Sequence, residues 1–119
     1  MGSDSRLMIL QVGKYSVVEF YTPSLMDPAE LESISRQLHL LVDKEMKHWI
    51  LLDMSQVEYI SSQFVGILVS LHKKLSELSD SKLVLCGVGP RLTELLKITQ
   101  LDRLLTVKAT QSEVTSTHR

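Results

Sequence analysis

Residues 49–78 read WILLDMSQVEYISSQFVGILVSLHKKLSEL: a short apolar run, a polar loop, and a second apolar pattern with a different period. Trp49, Ile50, Leu51 and Leu52 are closed by Asp53, and a run this short, bounded by turn formers, predicts a strand buried on both faces. From about Ser61 the apolar residues Phe64, Ile67, Leu68, Leu71, Leu75 and Leu78 recur at helical spacing, so a core-facing helix is expected to begin beside Ser61 and Ser62. The first N–H groups of a helix lack internal partners, and the macrodipole adds partial positive charge there. That place suits a capping hydroxyl and also an anion, including a phosphate carried by a serine. Either serine fits the cap.

Outward from this centre the chain alternates strands and helices. Residues 7–12 and 16–21 are β-rich and are joined through Gly13-Lys14-Tyr15, which predicts a hairpin and hence an antiparallel edge. Residues 22–26 read as a loop, because Pro23 discourages an interior strand. Asp27-Pro28-Ala29-Glu30 is a helix start, with Asp as cap, Pro at the first helical position and Glu30 where a capping-box acid belongs. Leu31, Ile34, Leu38, Leu41 and Val42 carry that helix to about Lys44, while Glu32, Arg36 and Asp43 form a solvated face. After the central unit, residues 82–86 predict another buried strand, Gly87-Val88-Gly89-Pro90 a turn, residues 91–99 a helix and 104–107 an edge strand. The tail ATQSEVTSTHR reads as frayed, or at most a truncated helix. The predicted architecture is α/β, a mostly parallel sheet with an antiparallel N-terminal edge and helices packed mainly on one face, leaving part of the other open or covered by a partner.

At 119 residues the chain has the size of one domain: a flexible stretch over 1–6, a folded unit over 7–108 and the polar tail over 109–119. A net charge of −1 gives no bulk attraction to nucleic acid or to an anionic membrane. No apolar run reaches the roughly 20 residues that span a bilayer, so direct membrane insertion is not expected. Residues 1–11 lack the charged start and long apolar stretch of a secretory leader, and Arg6 stands where a myristoylation motif wants Ser or Thr. Cytoplasmic residence is the expectation. The lone Cys86 lies in an apolar strand and reads as a buried, inert thiol.

Several chemistries find no support. His39, His48, His72 and His118 have no ligand-like spacing, and there is no second cysteine for a zinc pattern, so neither metal nor cofactor is expected. Neither serine lies in a Gly-x-Ser-x-Gly elbow, so the chain does not read as an enzyme. The Gly87-Val88-Gly89 turn lacks the lysine and spacing of a Walker motif, and a nucleotide-binding reading ranks last. Asp53 ends its strand where ligand-binding residues gather in α/β sheets, but support of the loop that carries the serines is its expected role. Away from the apolar face of the central helix, Gln63, Gly66, Ser70, Lys73 and Glu77 form a stripe that meets solvent or a partner, and a helical glycine, which costs roughly 1 kcal/mol relative to Ala, points to close approach at Gly66.

The segment LLDMSQVEYISSQFVGIL resembles the signature of the STAS domain, the fold of bacterial anti-sigma-factor antagonists, in which a buried strand ending in Asp leads through a polar loop to Asp-Ser-Ser-Gly-Leu-Gly and a helix. With Ile60 set against the apolar residue before that motif, Ser61 falls on its Asp, Ser62 on its first Ser, Gln63 on its second Ser, Phe64 on its Gly, Val65 on its Leu and Gly66 on its last Gly. The family's usual phosphoacceptor is the second Ser, and this chain has Gln63 there. The resemblance runs from Leu7 to about Val107 and includes KLVLCGVGPRLTELLKITQLDRLL, where Gln100 replaces the Gly of a closing Thr-Gly-Leu element. It implies a binding module whose partner is an anti-sigma factor and serine kinase of histidine-kinase-like ATPase fold, captured through Ser61, Ser62, Gln63 and Gly66, with Ser62 as the substitute phosphorylation site and transcription as the regulated process. A scaffold or transporter-associated STAS subunit with no phosphorylation cycle is the alternative. The oligomeric state stays open, a homodimer included.

Overall fold

The computed structural model describes residues 6–116; of the stretch expected to be flexible, residues 1–5 lie outside this range. Seven strands and four helices follow in the order β1 (Leu7–Val12), β2 (Tyr15–Phe20), β3 (Ser24–Leu25), α1 (Pro28–Asp43), β4 (Trp49–Asp53), β5 (Tyr59–Ile60), α2 (Ser62–Ser76), β6 (Lys82–Cys86), α3 (Pro90–Ile98), β7 (Thr106–Lys108) and α4 (Gln111–Thr115). The main sheet has the order β1-β2-β4-β6-β7. Only β1 and β2 are antiparallel; β2, β4, β6 and β7 run parallel. This is the α/β architecture predicted, with β4 at the centre.

Alternation along β4 determines which layer each residue joins. Ile50 and Leu52 face the main core, with Val18 and Phe20 of β2, Leu83 and Leu85 of β6, and the apolar stripes of α1, α2 and α3. Phe20 and Phe64 meet there edge to face at 6.0 Å, a geometry the ring quadrupoles favour. Leu51 faces the other way, into a smaller cluster with Tyr15, Val17, Val84, Cys86 and Val114. Three helices therefore cover one face, and α4 lies against the reverse. Within the tail read as frayed, residues 111–115 instead form α4: Thr110 caps it, its hydroxyl accepting from the Glu113 N–H at 3.2 Å, and Val114 is buried, while residues 117–119 lie outside the described range.

Three local readings change. Asp27 caps α1, Oδ2 accepting from the Glu30 N–H at 2.9 Å, but the Glu30 carboxylate pairs with Arg6 at 3.6 Å instead of closing a capping box. The loop read over residues 22–26 contains β3, which pairs in parallel with β5 through Ser24 with Tyr59 and Leu25 with Ile60. The last strand begins at Thr106, later than expected, because Leu101–Arg103 forms a 3-10 turn that carries Leu101 and Leu105 into the core.

Leu68 is fully buried in the main core on α2. Leu68→Asp is expected to cost more than about 4 kcal/mol, because nothing there pairs with a carboxylate. Loss of the cooperative unfolding transition in urea checks this.

Candidate functional site

The C-terminal ends of the parallel strands carry the loop after β4 and the start of α2. Ser61 is the residue that caps α2: it is extended (φ −95°, ψ 170°), and its hydroxyl accepts from the Phe64 N–H at 3.4 Å. Ser62 is thus the first helical residue and is exposed, as are Gln63 and Gly66. Gln63 reaches across to α1, its Nε2 donating to the Pro28 carbonyl at 3.4 Å. All four predicted residues lie on one short segment, Ser61 half-buried and the other three exposed.

The short β3–β5 ladder fixes the approach to this segment. Ser61 N–H donates to the Leu25 carbonyl at 3.2 Å, and the Glu58 and Tyr59 N–H groups both donate to the Pro23 carbonyl. Two exposed apolar side chains, Met26 and Tyr59, flank the serines as a result. The Arg91 guanidinium lies 4.6 Å above the Tyr59 ring, and a cavity of about 560 Å³ opens beside it between Val57, Glu58 and the Gly89-Pro90 start of α3. None of Met26, Tyr59 or Arg91 was singled out from the sequence. For Met26 and Tyr59 the signal, an apolar residue at the end of a polar loop, has meaning only once the two loops are paired.

Asp53 is held at both of its oxygens. Oδ1 accepts from the Ser55 N–H at 2.9 Å, shaping the loop. Oδ2 accepts from the Gln111 side chain, whose Nε2 also donates to Glu19 Oε2, both at 2.6 Å. Glu19 and Asp53 are neighbours in the β2–β4 register, so one amide bridges two carboxylates that otherwise repel. Tyr21 completes the cluster by donating its hydroxyl to Glu19 Oε1, a bond that raises the phenol's pKa. Beneath α4, burial and then the charges of Asp53 and Glu19 push the Cys86 thiol up to about 12, keeping it protonated and unreactive at neutral pH. Among the described residues no group of three or more His, Cys, Asp and Glu converges as a metal site. No helix there is long and apolar enough to cross a membrane.

Glycines distinguish internal from external constraint. A Cβ on Gly87 would stand 2.8 Å from that of Ser55, and its φ of +68° is already one that side chains resist. This glycine lets the β6 end close onto the Asp53–Ser55 turn. A Cβ on Gly66 meets nothing within 4 Å, so the close approach expected there is made by no part of the described chain.

The STAS domain family model matches residues 10–114. The chain belongs to the STAS domain family. In fold it is similar to an anti-sigma-factor antagonist (STAS) domain protein from Planctomyces limnophilus, at 23% identity and TM-score 0.82 over 95% of this chain and 97% of that one. It is similar too to the Bacillus cell fate determinant SpoIIAA in its phosphorylated form, at 15% identity and TM-score 0.76, covering 95% and 99%. A sulfate transporter family protein from Wolinella succinogenes matches at 17% identity and TM-score 0.72, covering 92% and 88%.

Two glycine substitutions are expected to move stability in opposite directions. Gly87→Ala should lose about 2–4 kcal/mol through strain and overlap with Ser55. Gly66→Ala should gain up to about 1 kcal/mol from helix propensity; urea denaturation measures both. Gln111→Leu leaves Glu19 and Asp53 without their shared donor, so α4 should detach more often and iodoacetamide should label Cys86 at least about tenfold faster than in wild type.

Proposed function

We propose that this STAS domain is a non-enzymatic binding module that captures an anti-sigma factor and serine kinase of histidine-kinase-like ATPase fold, and so frees a sigma factor. The observation that carries the reading is Gly66: exposed on α2, with nothing among the described residues within 4 Å of a Cβ placed there, and one turn from the exposed Ser62 and Gln63. A helix tolerates the propensity cost of glycine where another backbone must come close. Met26 and Tyr59 add apolar area beside the polar centre, the composition of a small protein-docking surface. Likeness to a solved anti-sigma-factor antagonist (STAS) domain protein supports the choice of partner.

Gln63 determines the kind of switch. Set on the family's phosphoacceptor position, it carries no hydroxyl, and its neutral amide is a poor copy of a group with nearly two negative charges at pH 7. The surface therefore corresponds to an unphosphorylated, binding-competent antagonist. Ser62, one residue earlier, points roughly 100° away around the helix, so a kinase aimed at the family's position labels it poorly. Likeness to a sulfate transporter family protein, together with Gln63, favours a second reading: an unswitched STAS scaffold in a transporter assembly.

Against the anti-sigma kinases of the same organism, Gly66→Arg should weaken binding at least about 100-fold while melting no lower than wild type, since its side chain projects away from the core. Unchanged binding would remove this surface from the contact. Incubation with kinase and ATP, read by intact mass, should leave wild type unmodified and add one phosphate to Gln63→Ser. Efficient phosphorylation of wild type that disappears in Ser62→Ala would make Ser62 the regulatory residue.

A further inference from the structure

The two edges of the main sheet are built differently. On one side β7 is three residues long, exposed throughout, and ends on Lys108. Short length and a terminal lysine are usual ways of stopping an edge from templating another strand. On the other side β1 is the six-residue run LMILQV, with no charge and no proline. Met8 and Ile9 are exposed at 48% and 37%, which matters because a hydrophobic, uncharged edge is the kind that recruits a strand. The cations that flank it are engaged within their own chain: Arg6 with Glu30 at 3.6 Å, and Lys14 with Asp80 at 3.7 Å and over the Trp49 ring at 4.2 Å.

Hairpin register determines which backbone groups of β1 are free. Val12 pairs with Tyr15 across the two-residue turn, and Leu10 with Val17 and Met8 with Glu19 follow. The Tyr21 N–H donates to the Arg6 carbonyl at 2.6 Å, continuing the same phase. Arg6, Met8, Leu10 and Val12 therefore direct their backbone groups to β2. By the alternation of antiparallel pairing, Leu7, Ile9 and Gln11 direct theirs outward.

We propose that β1 is a homodimer interface, pairing antiparallel with β1 of a second copy about a two-fold axis at Ile9. In that register Ile9 lies opposite Ile9 of the second copy and Leu7 opposite Gln11, so each outward N–H and C=O of Leu7, Ile9 and Gln11 gains a partner in both copies. Met8 and Leu10 of the two copies become cross-strand neighbours on the reverse face, apolar against apolar. A second copy fits this edge for three reasons: the strand is complementary to itself in one symmetric register, it brings no charge to the contact, and the chain's net charge of −1 adds almost no repulsion between copies. The main sheet then runs continuously through both protomers. This interface does not depend on the identity of any partner at the α2 end.

The test uses the parity of the strand. Sedimentation of the full chain at about 100 μM should give twice the chain mass, with the monomer returning on dilution. Amide exchange should slow with concentration at Leu7, Ile9 and Gln11, whereas Met8 and Leu10 stay protected at every concentration. Ile9→Pro removes an outward N–H while sparing the ladder to β2, and Ile9→Lys places like charges at the two-fold axis. Both variants should raise the dimer dissociation constant at least about tenfold with an unchanged circular dichroism spectrum. A wild type that stays monomeric at that concentration overturns the proposal. So does a dimer whose Leu7, Ile9 and Gln11 amides exchange as in the monomer, an Ile9→Lys variant that dimerises as wild type does, or protection of these amides only on addition of a different protein.

Discussion

Burial of β4 on both faces is the constraint from which the other placements follow. A central strand has no solvent side, so each residue from Ile50 to Leu52 must find an apolar neighbour above or below. Ile50 and Leu52 commit the chain to the three helices, and Leu51 commits it to the reverse layer that α4 completes. Asp53, next in the alternation after Leu51, emerges on the α4 side, where Gln111 waits for it. The backbone meanwhile turns through Ser55 toward α2. One residue thus belongs to two layers: its side chain ties down the C-terminal helix while its main chain leads to the serines.

The parts of the fold that were legible were those specified by period. The buried run over Trp49–Asp53, the heptad-like stripe of α2 and the Asp-Pro start of α1 each carry their signal within one segment, and their bounds fall close to the observed ones. What was not legible depends on contacts between distant segments. Ser24 and Leu25 form a strand only because Tyr59 and Ile60 are brought alongside, and two residues have no period. Gln111 was one polar residue in a polar tail; its amide gains a role only when β2 and β4 set two carboxylates side by side. The four candidate residues could be singled out because they lie close together at a helix start. Their flanking Met26, Tyr59 and Arg91 come from three other places in the chain.

Backbone geometry separates the chain's own requirements from those of its surroundings. Gly87 is fixed by both its φ and its neighbour Ser55, so its identity follows from the fold alone. Gln100 is the converse: it adopts a left-handed φ of 63° after α3, where glycine is the residue that fits without cost. The fold keeps this turn although the side chain resists it, which means that packing of Leu101 and Leu105 behind it outweighs a strain of about 1–2 kcal/mol. Gly66 fits neither case. It lies in an ordinary helical conformation with open space around it, so the fold gives no reason for it.

The two proposed contacts use different elements, and this has a consequence for binding. β1 is the outer edge of the sheet, whereas α2 packs over the far side of the central strand, against β6. Strand pairing at β1 uses the backbone of Leu7, Ile9 and Gln11 and none of Ser62, Gln63 or Gly66. A dimer joined this way presents two identical docking ends related by the two-fold axis. Toward a partner that is itself two-fold, the second contact becomes intramolecular, and avidity rises by orders of magnitude without any new contact, provided that the spacing of the two ends matches. Under the two proposals together, a surface with no hydroxyl at Gln63 responds instead to the concentration at which the protomers pair.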